Sequence, residues 1–269
     1  MKKITLLLII ALSSVFLVFT GCEADFAEEK IQSDSPMLDA ADQLRYNGNQ
    51  GEAVLLVHGN WPGSPSDFND TISYLRSHGW PSSKIVTVNW RPSSNPANND
   101  HCGSELNYVK SALSTAMSKS STGKIDVIGH SLGATLAAKA IIDKGWGKNQ
   151  IRTFIGISGA FRGLNSCTYT SYLKTCSKTC GLHYKSSVLK AIKNKGRFAQ
   201  KQYAMYSYAD EVACNCGYGY NVYCCYIYGT HTGRPYTVDS TYTKSTYPYG
   251  HWGMLKYTES KQADWLDNY

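Results

Sequence analysis

The stretch from Ile125 to Ala134 constrains this chain more than any other part of it. Ile125, Val127 and Ile128 predict a short apolar strand, and the alanines Ala134, Ala137, Ala138 and Ala140 predict a helix from about Leu132 onwards. Between them lies Gly129-His130-Ser131-Leu132-Gly133, a serine with glycine two positions before and two after. That spacing has a physical reason. A serine that attacks a carbonyl must stand proud of the backbone on a tight, strained turn, so the residues two either side must carry no Cβ that would strike the neighbouring strand or helix. The helix that follows aims its unpaired N–H groups and the positive end of its dipole at charge developing on the attacked oxygen. The five-residue pattern also occurs by chance in glycine-rich turns, so the strand before it and the helix after it are what give it meaning.

The chain has 269 residues, 42% of them hydrophobic and 17% charged, which suits one substantial core. Met1-Lys2-Lys3 followed by the apolar run Ile4 to Phe19 has the form of an export signal, and Thr20-Gly21-Cys22 resembles a bacterial lipobox, whose cysteine is lipidated after cleavage. The plainer alternative is an ordinary secretory signal with an incidental Cys22. Removing Cys22 from the nine cysteines leaves an even eight, as expected of a disulfide-rich extracytoplasmic protein, either lipid-anchored to the cell envelope or secreted. The expected organisation is a signal peptide over 1–21, an acidic flexible tether over 22–50 and a catalytic domain over 51–269. Cys214-x-Cys216 and Cys224-Cys225 lack zinc spacing, so no metal or other cofactor is expected. The net charge of +7 is modest and no dense Lys/Arg cluster stands out, so neither a nucleic-acid role nor a protein partner is inferred.

Along the chain, strands are expected at Ala53 to Val57, Ile85 to Asn89, Ile125 to Ile128, Ile151 to Ile157 and Gln202 to Tyr208. Helices are expected at Phe68 to His78, Glu105 to Met117, after Ser131, around Val188 to Ile192, and at Tyr257 to Leu266. This alternation predicts an α/β fold, a mostly parallel sheet with helices on both faces. Residues 160–200 and 213–249 look irregular and hold all of the remaining cysteines except Cys102, which marks them as insertions forming a disulfide-rich cap.

A serine nucleophile needs a base, an acid that orients the base, and oxyanion donors. In sheets of this kind the partners follow in the order serine, acid, histidine. Asp210 comes directly after the last predicted strand, with Glu211 its adjacent competitor. Only His231 and His251 follow Asp210. His251 lies just before the final helix and His231 within the tyrosine-rich loop, which favours His251. The backbone N–H of Leu132 is one candidate oxyanion donor, and Asn60, in the His58-Gly59-Asn60 turn after the first strand, is the other. His58 is expected to hold that loop. His130 is adjacent to Ser131 on the turn, and its side chain is expected to point away, excluding it as the base.

Val57-His58-Gly59-Asn60, the elbow, and Phe154 to Ser158 leading into Gly159-Ala160-Phe161-Arg162-Gly163 resemble secreted bacterial lipases of the α/β-hydrolase fold. Phe161 to Cys167, Asp210-Glu211-Val212-Ala213-Cys214 and Gly250-His251 are similar to lipase-like extracellular poly(3-hydroxybutyrate) depolymerases. The resemblance spans roughly residues 53–257. It implies Ser131, Asp210 and His251 as a triad, with Asn60 and Leu132 as oxyanion donors. The chain departs from that pattern in its lipobox, in Leu132 where methionine is common, and in a shorter, cysteine-dense tyrosine loop. The expected activity is serine carboxylic-ester hydrolysis of lipid-like esters, of the triacylglycerol lipase or esterase type. A polyester depolymerase, a peptidase or amidase, and a non-enzymatic binding protein on the same fold are the alternatives. Twelve of the twenty tyrosines fall between residues 203 and 249, suited either to gripping an amphiphilic ester or to packing a stapled cap.

Overall fold

The computed structural model describes residues 51–90, 92–164, 166–207, 209–213 and 243–267. The expected signal peptide, Cys22, the tether, His231 and the four cysteines from Cys214 to Cys225 lie outside these residues.

Six strands form one sheet: β1 (Ala53–Val57), β2 (Ile85–Val88), β3 (Ile125–His130), β4 (Ile151–Ile157), β5 (Lys201–Ser207) and β6 (Thr243–Tyr247). Their order across the sheet is β2-β1-β3-β4-β5-β6, and every pairing is parallel. The helices are α1 (Asn69–Ser77), α2 (Ser104–Lys119), α3 (Leu132–Asp143), α4 (Ser187–Lys195), α5 (Gly253–Lys256) and α6 (Glu259–Asp267). The five expected strands are all present. The expected C-terminal helix begins two residues later than Tyr257, after the short α5.

Strand periodicity divides the core into two layers. Leu55, Val57, Val127 and Phe154 face α2, α3 and α4, whereas Val54, Leu56, Ile128, Ile155 and Tyr203 face α1, α5 and α6. Helix α3 is buried almost all round. Its alanines let it sit close against the sheet with α2 and α4 packed on either side.

The chain reverses direction across the sheet after β2, since β3 returns to the other side of β1. In an open parallel sheet, the crevice outside the carboxyl ends of the strands at such a switch point is where ligands bind. Here the loop after β1 and the turn after β3 flank that crevice. The opposite, amino end of the sheet is closed by a buried charge cluster. Arg152 Nε donates to Asp126 Oδ1 at 2.9 Å and its Nη2 to Asp126 Oδ2, while Glu52 lies 3.3 Å from Nη1. The β3–β4 register shifts between Ile125 and Val127, which turns Asp126 toward this arginine and the N–H of Thr153.

Two disulfides organise residues 160–186. Cys102–Cys180 ties the segment to the start of α2, and Cys167–Cys176 closes a loop within it. The other expected insertion, 213–249, ends in a strand where none was expected. Thr243-Lys244-Ser245-Thr246-Tyr247 has no apolar run, but β-branched and aromatic residues suit an outermost strand, and among the described residues β6 pairs only with β5.

Candidate active site

Ser131 stands between β3 and α3 with φ at 55°, in the left-handed region that non-glycine residues rarely occupy. The flanking glycines make this possible. A Cβ on Gly129 would come within 2.5 Å of Ala134 Cα, and one on Gly133 within 2.1 Å of the His58 carbonyl oxygen. The turn is pinned by Ser131 N–H, which donates to Ile157 O at the end of β4 (2.8 Å). Ser131 itself is half-buried.

Asp210 and His251 come from the carboxyl ends of β5 and β6. His251 Nδ1 lies 2.9 Å from both carboxylate oxygens of Asp210. Facing a carboxylate, Nδ1 carries the proton and leaves Nε2 as the free base. Burial disfavours a charged Asp210, but the His251 ring and the N–H groups of Ala213 and Val212 outweigh it and hold the carboxyl down at about 2. The competing acid, Glu211, binds the same residue elsewhere, its Oε2 accepting the backbone N–H of His251 at 2.9 Å. The two acids thus divide the histidine between them, Asp210 fixing its ring and Glu211 its main chain.

His130 is buried and its ring centroid lies 4.8 Å from that of His251. Its Nε2 is 3.1 Å from the His251 carbonyl oxygen, so Nε2 carries the proton and donates. Burial, then the neighbouring His251, push the His130 imidazole down to about 3, so it is neutral at ordinary pH. It props the loop bearing His251, a support that its sequence position beside Ser131 does not reveal. The same contact brings the elbow and the histidine loop together.

The loop after β1 packs directly on the elbow, since a Cβ on Gly59 would lie 3.0 Å from Ser131 Cβ. The side chain of Asn60 is committed elsewhere. Nδ2 donates to Pro96 O (2.9 Å), and Oδ1 accepts from Trp61 N (2.8 Å) and Asn99 Nδ2 (2.5 Å). With Nδ2 anchored on Pro96 O and Oδ1 accepting twice, the backbone N–H of Asn60 is the candidate oxyanion donor. Leu132 opens α3, where an N–H has no partner within the helix. His58 is fully buried, bonded to Gly59 O (2.8 Å) and stacked on Trp90, whose indole N–H donates to His58 O (2.9 Å). Burial lowers its pKa, as befits a neutral structural residue.

Sequence reasoning missed His101. It is buried, with Nδ1 donating to Cys180 O (2.9 Å) and Nε2 2.7 Å from Thr135 Oγ1, on the first turn of α3. Burial takes its imidazole down to about 4. With Nδ1 donating, Nε2 is an acceptor, and the Thr135 hydroxyl is placed to donate either to it or to Leu132 O at 2.9 Å. The Cys102–Cys180 disulfide is thereby linked through one histidine to the helix that Ser131 precedes. No periodicity or motif marks that histidine. Among the described residues, no group of three or more His, Cys, Asp or Glu could hold a metal.

A family model described as Lipase (class 2) matches residues 51–237, more than half of the chain. The chain belongs to the class 2 lipase family. The matched span contains Asn60, Ser131, Leu132 and Asp210 and stops short of His251. No curated protein gives a significant match. Among solved structures, this lipase-family chain is similar to Aspergillus fumigatus lipase B, with 17% identity and a TM-score of 0.53 over 78% of this chain and 50% of that one. It thus spans half the length of that lipase. A lipase-esterase related protein from Clostridium acetobutylicum gives 13% identity and a TM-score of 0.49, covering 82% and 96%. The carboxylesterase CesB of Bacillus subtilis gives 12% and 0.45, covering 82% and 85%. The fold is that of the α/β-hydrolases, and the family is a lipase family.

Proposed function

We propose that this protein is a serine carboxylic-ester hydrolase acting on lipid-like esters. The observation that carries the reading is the Asp210–His251 pair, 2.9 Å apart and buried, held against an elbow whose serine is strained at φ 55°. In this reading His251 Nε2 takes the Ser131 proton as Oγ attacks the ester carbonyl. The N–H groups of Leu132 and Asn60 receive the oxyanion, each worth about 3 kcal/mol in the transition state. Collapse of the tetrahedral species breaks the ester bond, and the proton passes from His251 to the departing alcohol. A water deprotonated by His251 then cleaves the acyl-serine. Asp210 holds the imidazole in the required tautomer and stabilises the imidazolium.

Lipid-like esters are supported by three exposed apolar side chains, Trp61, Val212 and Trp252, one or two positions in sequence from Asn60, Asp210 and His251. Apolar groups next to the site residues favour an acyl chain over a charged substrate. Export, with attachment to the envelope through Cys22, is part of the same proposal and rests on the N-terminal sequence alone.

Hydrolysis of p-nitrophenyl butyrate by the disulfide-formed protein, with Ser131→Ala as control, tests the reading. Turnover lost in the variant supports it. No turnover of esters of any chain length would leave a binding protein on a hydrolase fold as the answer. Comparing tributyrin with a polyhydroxybutyrate suspension separates lipase from depolymerase.

A further inference from the structure

The net charge of +7 conceals a strong segregation. Between Asp143 and Asp210 the chain carries nine lysines, three arginines and no acidic residue. Of the 27 Lys+Arg, 12 lie here and 15 elsewhere, against all 20 Asp+Glu, so the remainder of the chain is net acidic. Of the twelve, Arg152 is spent on Asp126 inside the protein.

Part of this charge lies at the end of the sheet that holds Ser131, while Lys144 and Lys148 precede β4 and Lys193, Lys195, Arg197 and Lys201 run from the end of α4 to the start of β5. After β4 the chain emerges at the carboxyl end of the sheet, the end that holds Ser131, and residues 160–186 form the disulfide-stapled lobe there. Lys174, Lys178 and Lys185 on this lobe are exposed. Lys178 meets the first turn of α4, its carbonyl accepting from Ser187 N (2.9 Å). His183, between Lys178 and Lys185, is held below its usual pKa first by burial and then by those two ammonium groups, which places both close to it. Helix α4 turns Val188, Leu189 and Ile192 inward and leaves Lys190 exposed on the opposite side. Tyrosines are interspersed: Tyr169 and Tyr184 are exposed, Tyr172 is 81% exposed, and Lys185 lies over the Tyr184 ring at 5.3 Å.

We infer that this lobe is a docking face for an anionic lipid bilayer. Exposed ammonium groups are drawn to a negative surface, and tyrosine, apolar in its ring and polar at its tip, is at home among headgroups. From residue 160 to Lys190 there are four lysines and one arginine, whereas base and phosphate recognition in a nucleic acid draws on planar guanidinium forks. The staples hold the face rigid, so docking costs little ordering. Because the lobe shares an end of the sheet with the crevice, docking turns the crevice toward the lipid. The delivery of an ester to Ser131 rests on the function proposed above; the docking does not.

The protein from Glu23 onwards, which carries neither the apolar run Ile4 to Phe19 nor Cys22, is floated with vesicles of phosphatidylcholine alone or with about 30% phosphatidylglycerol, enough to give a negative surface potential. Binding is expected only with the anionic lipid and is expected to weaken with salt. A variant with glutamine at Lys174, Lys178, Lys185 and Lys190 should lose affinity on the order of a hundredfold or more. Its turnover of dissolved p-nitrophenyl butyrate should be unchanged, while hydrolysis of an ester embedded in anionic vesicles falls. A control with the same changes at Lys119, Lys124, Lys256 and Lys261 should still bind. Equal binding to both vesicles, equal loss in the control, or tighter binding to duplex DNA or RNA than to the anionic vesicles would overturn the inference. Failure to hydrolyse the dissolved ester would overturn only the function reading, since flotation needs no catalysis.

Discussion

Replacing Gly133 by alanine adds one carbon at the most crowded point of the elbow. That Cβ would lie 2.1 Å from the His58 carbonyl oxygen and 2.5 Å from that of Val57, where side-chain carbons essentially never come within 3.0 Å of a neighbour. Both obstacles are backbone. Val57 is held in register by Val88 on one side and Gly129 on the other, and His58 O already accepts the Trp90 indole N–H. The end of β1 must therefore retreat by about 1 Å, a strain that in packed cores costs about 1–3 kcal/mol. For a domain of this size the melting temperature should fall by roughly 3–10 °C. Asn60 lies two residues beyond His58, so the same retreat carries a proposed oxyanion donor away from the carbonyl oxygen. Misplacement of about 1 Å is enough to lower kcat by about 10²-fold, with KM much less affected. The assay is steady-state hydrolysis of p-nitrophenyl butyrate well below the melting temperature. Gly145→Ala is the control: its φ of +68° makes alanine strained there too, but nothing lies within 4 Å, so stability should drop while kcat holds. A Gly133→Ala enzyme with kcat close to that of the parent would refute the reasoning.

Asp210→Asn should lower kcat by roughly 10⁴-fold through loss of the histidine tautomer, leaving KM nearly unchanged in the same assay. Because the Asp210 carboxyl is held at about 2, below its unfolded value, it adds stability that is complete above about pH 4. That contribution, about 2 kcal/mol, is lost as pH falls toward about 2, and urea titrations at about pH 5 and about pH 2.5 should show a smaller difference for the asparagine variant. Arg152→Met would leave Asp126 buried with no cation beside it, a loss of about 3–5 kcal/mol measurable by urea unfolding. Replacing Glu52, Asp126 and Arg152 together by apolar residues should recover most of that loss. If the single and triple variants prove equally unstable, the arginine acts through packing rather than charge.

What could be read from the sequence depended on range. The strands and the elbow announce themselves through local patterns, because a buried parallel strand is a continuous apolar run and a strained serine demands its glycines. Asp210 over Glu211 could not be decided by chemistry, since the two are adjacent and alike. The decision needs the direction of each side chain, and the structure gives one the ring of His251 and the other its main chain. His101 is a long-range case: its partners, Cys180 and Thr135, are 79 and 34 residues away, and no periodicity encodes such a meeting. Strand β6 escaped because an outermost strand needs no apolar run. The absence of acids between Asp143 and Asp210 is written in the sequence, though a net charge averages it away, but which of those cations meet at the crevice end needs the fold.

The polarity of the sheet has a practical consequence. With every described strand parallel, the crevice lies at one end of the sheet, and Glu52, just before β1, marks the other. A bead, electrode or fusion partner joined directly at Gly51 would hold the sheet by its amino end, with the crevice facing the bulk liquid. Attachment through lysine chemistry would be made at scattered points, among them Lys174, Lys178 and Lys185 on the lobe, and would hold part of the protein with the crevice against the support. Attachment at Gly51 should therefore preserve more turnover than random amine coupling.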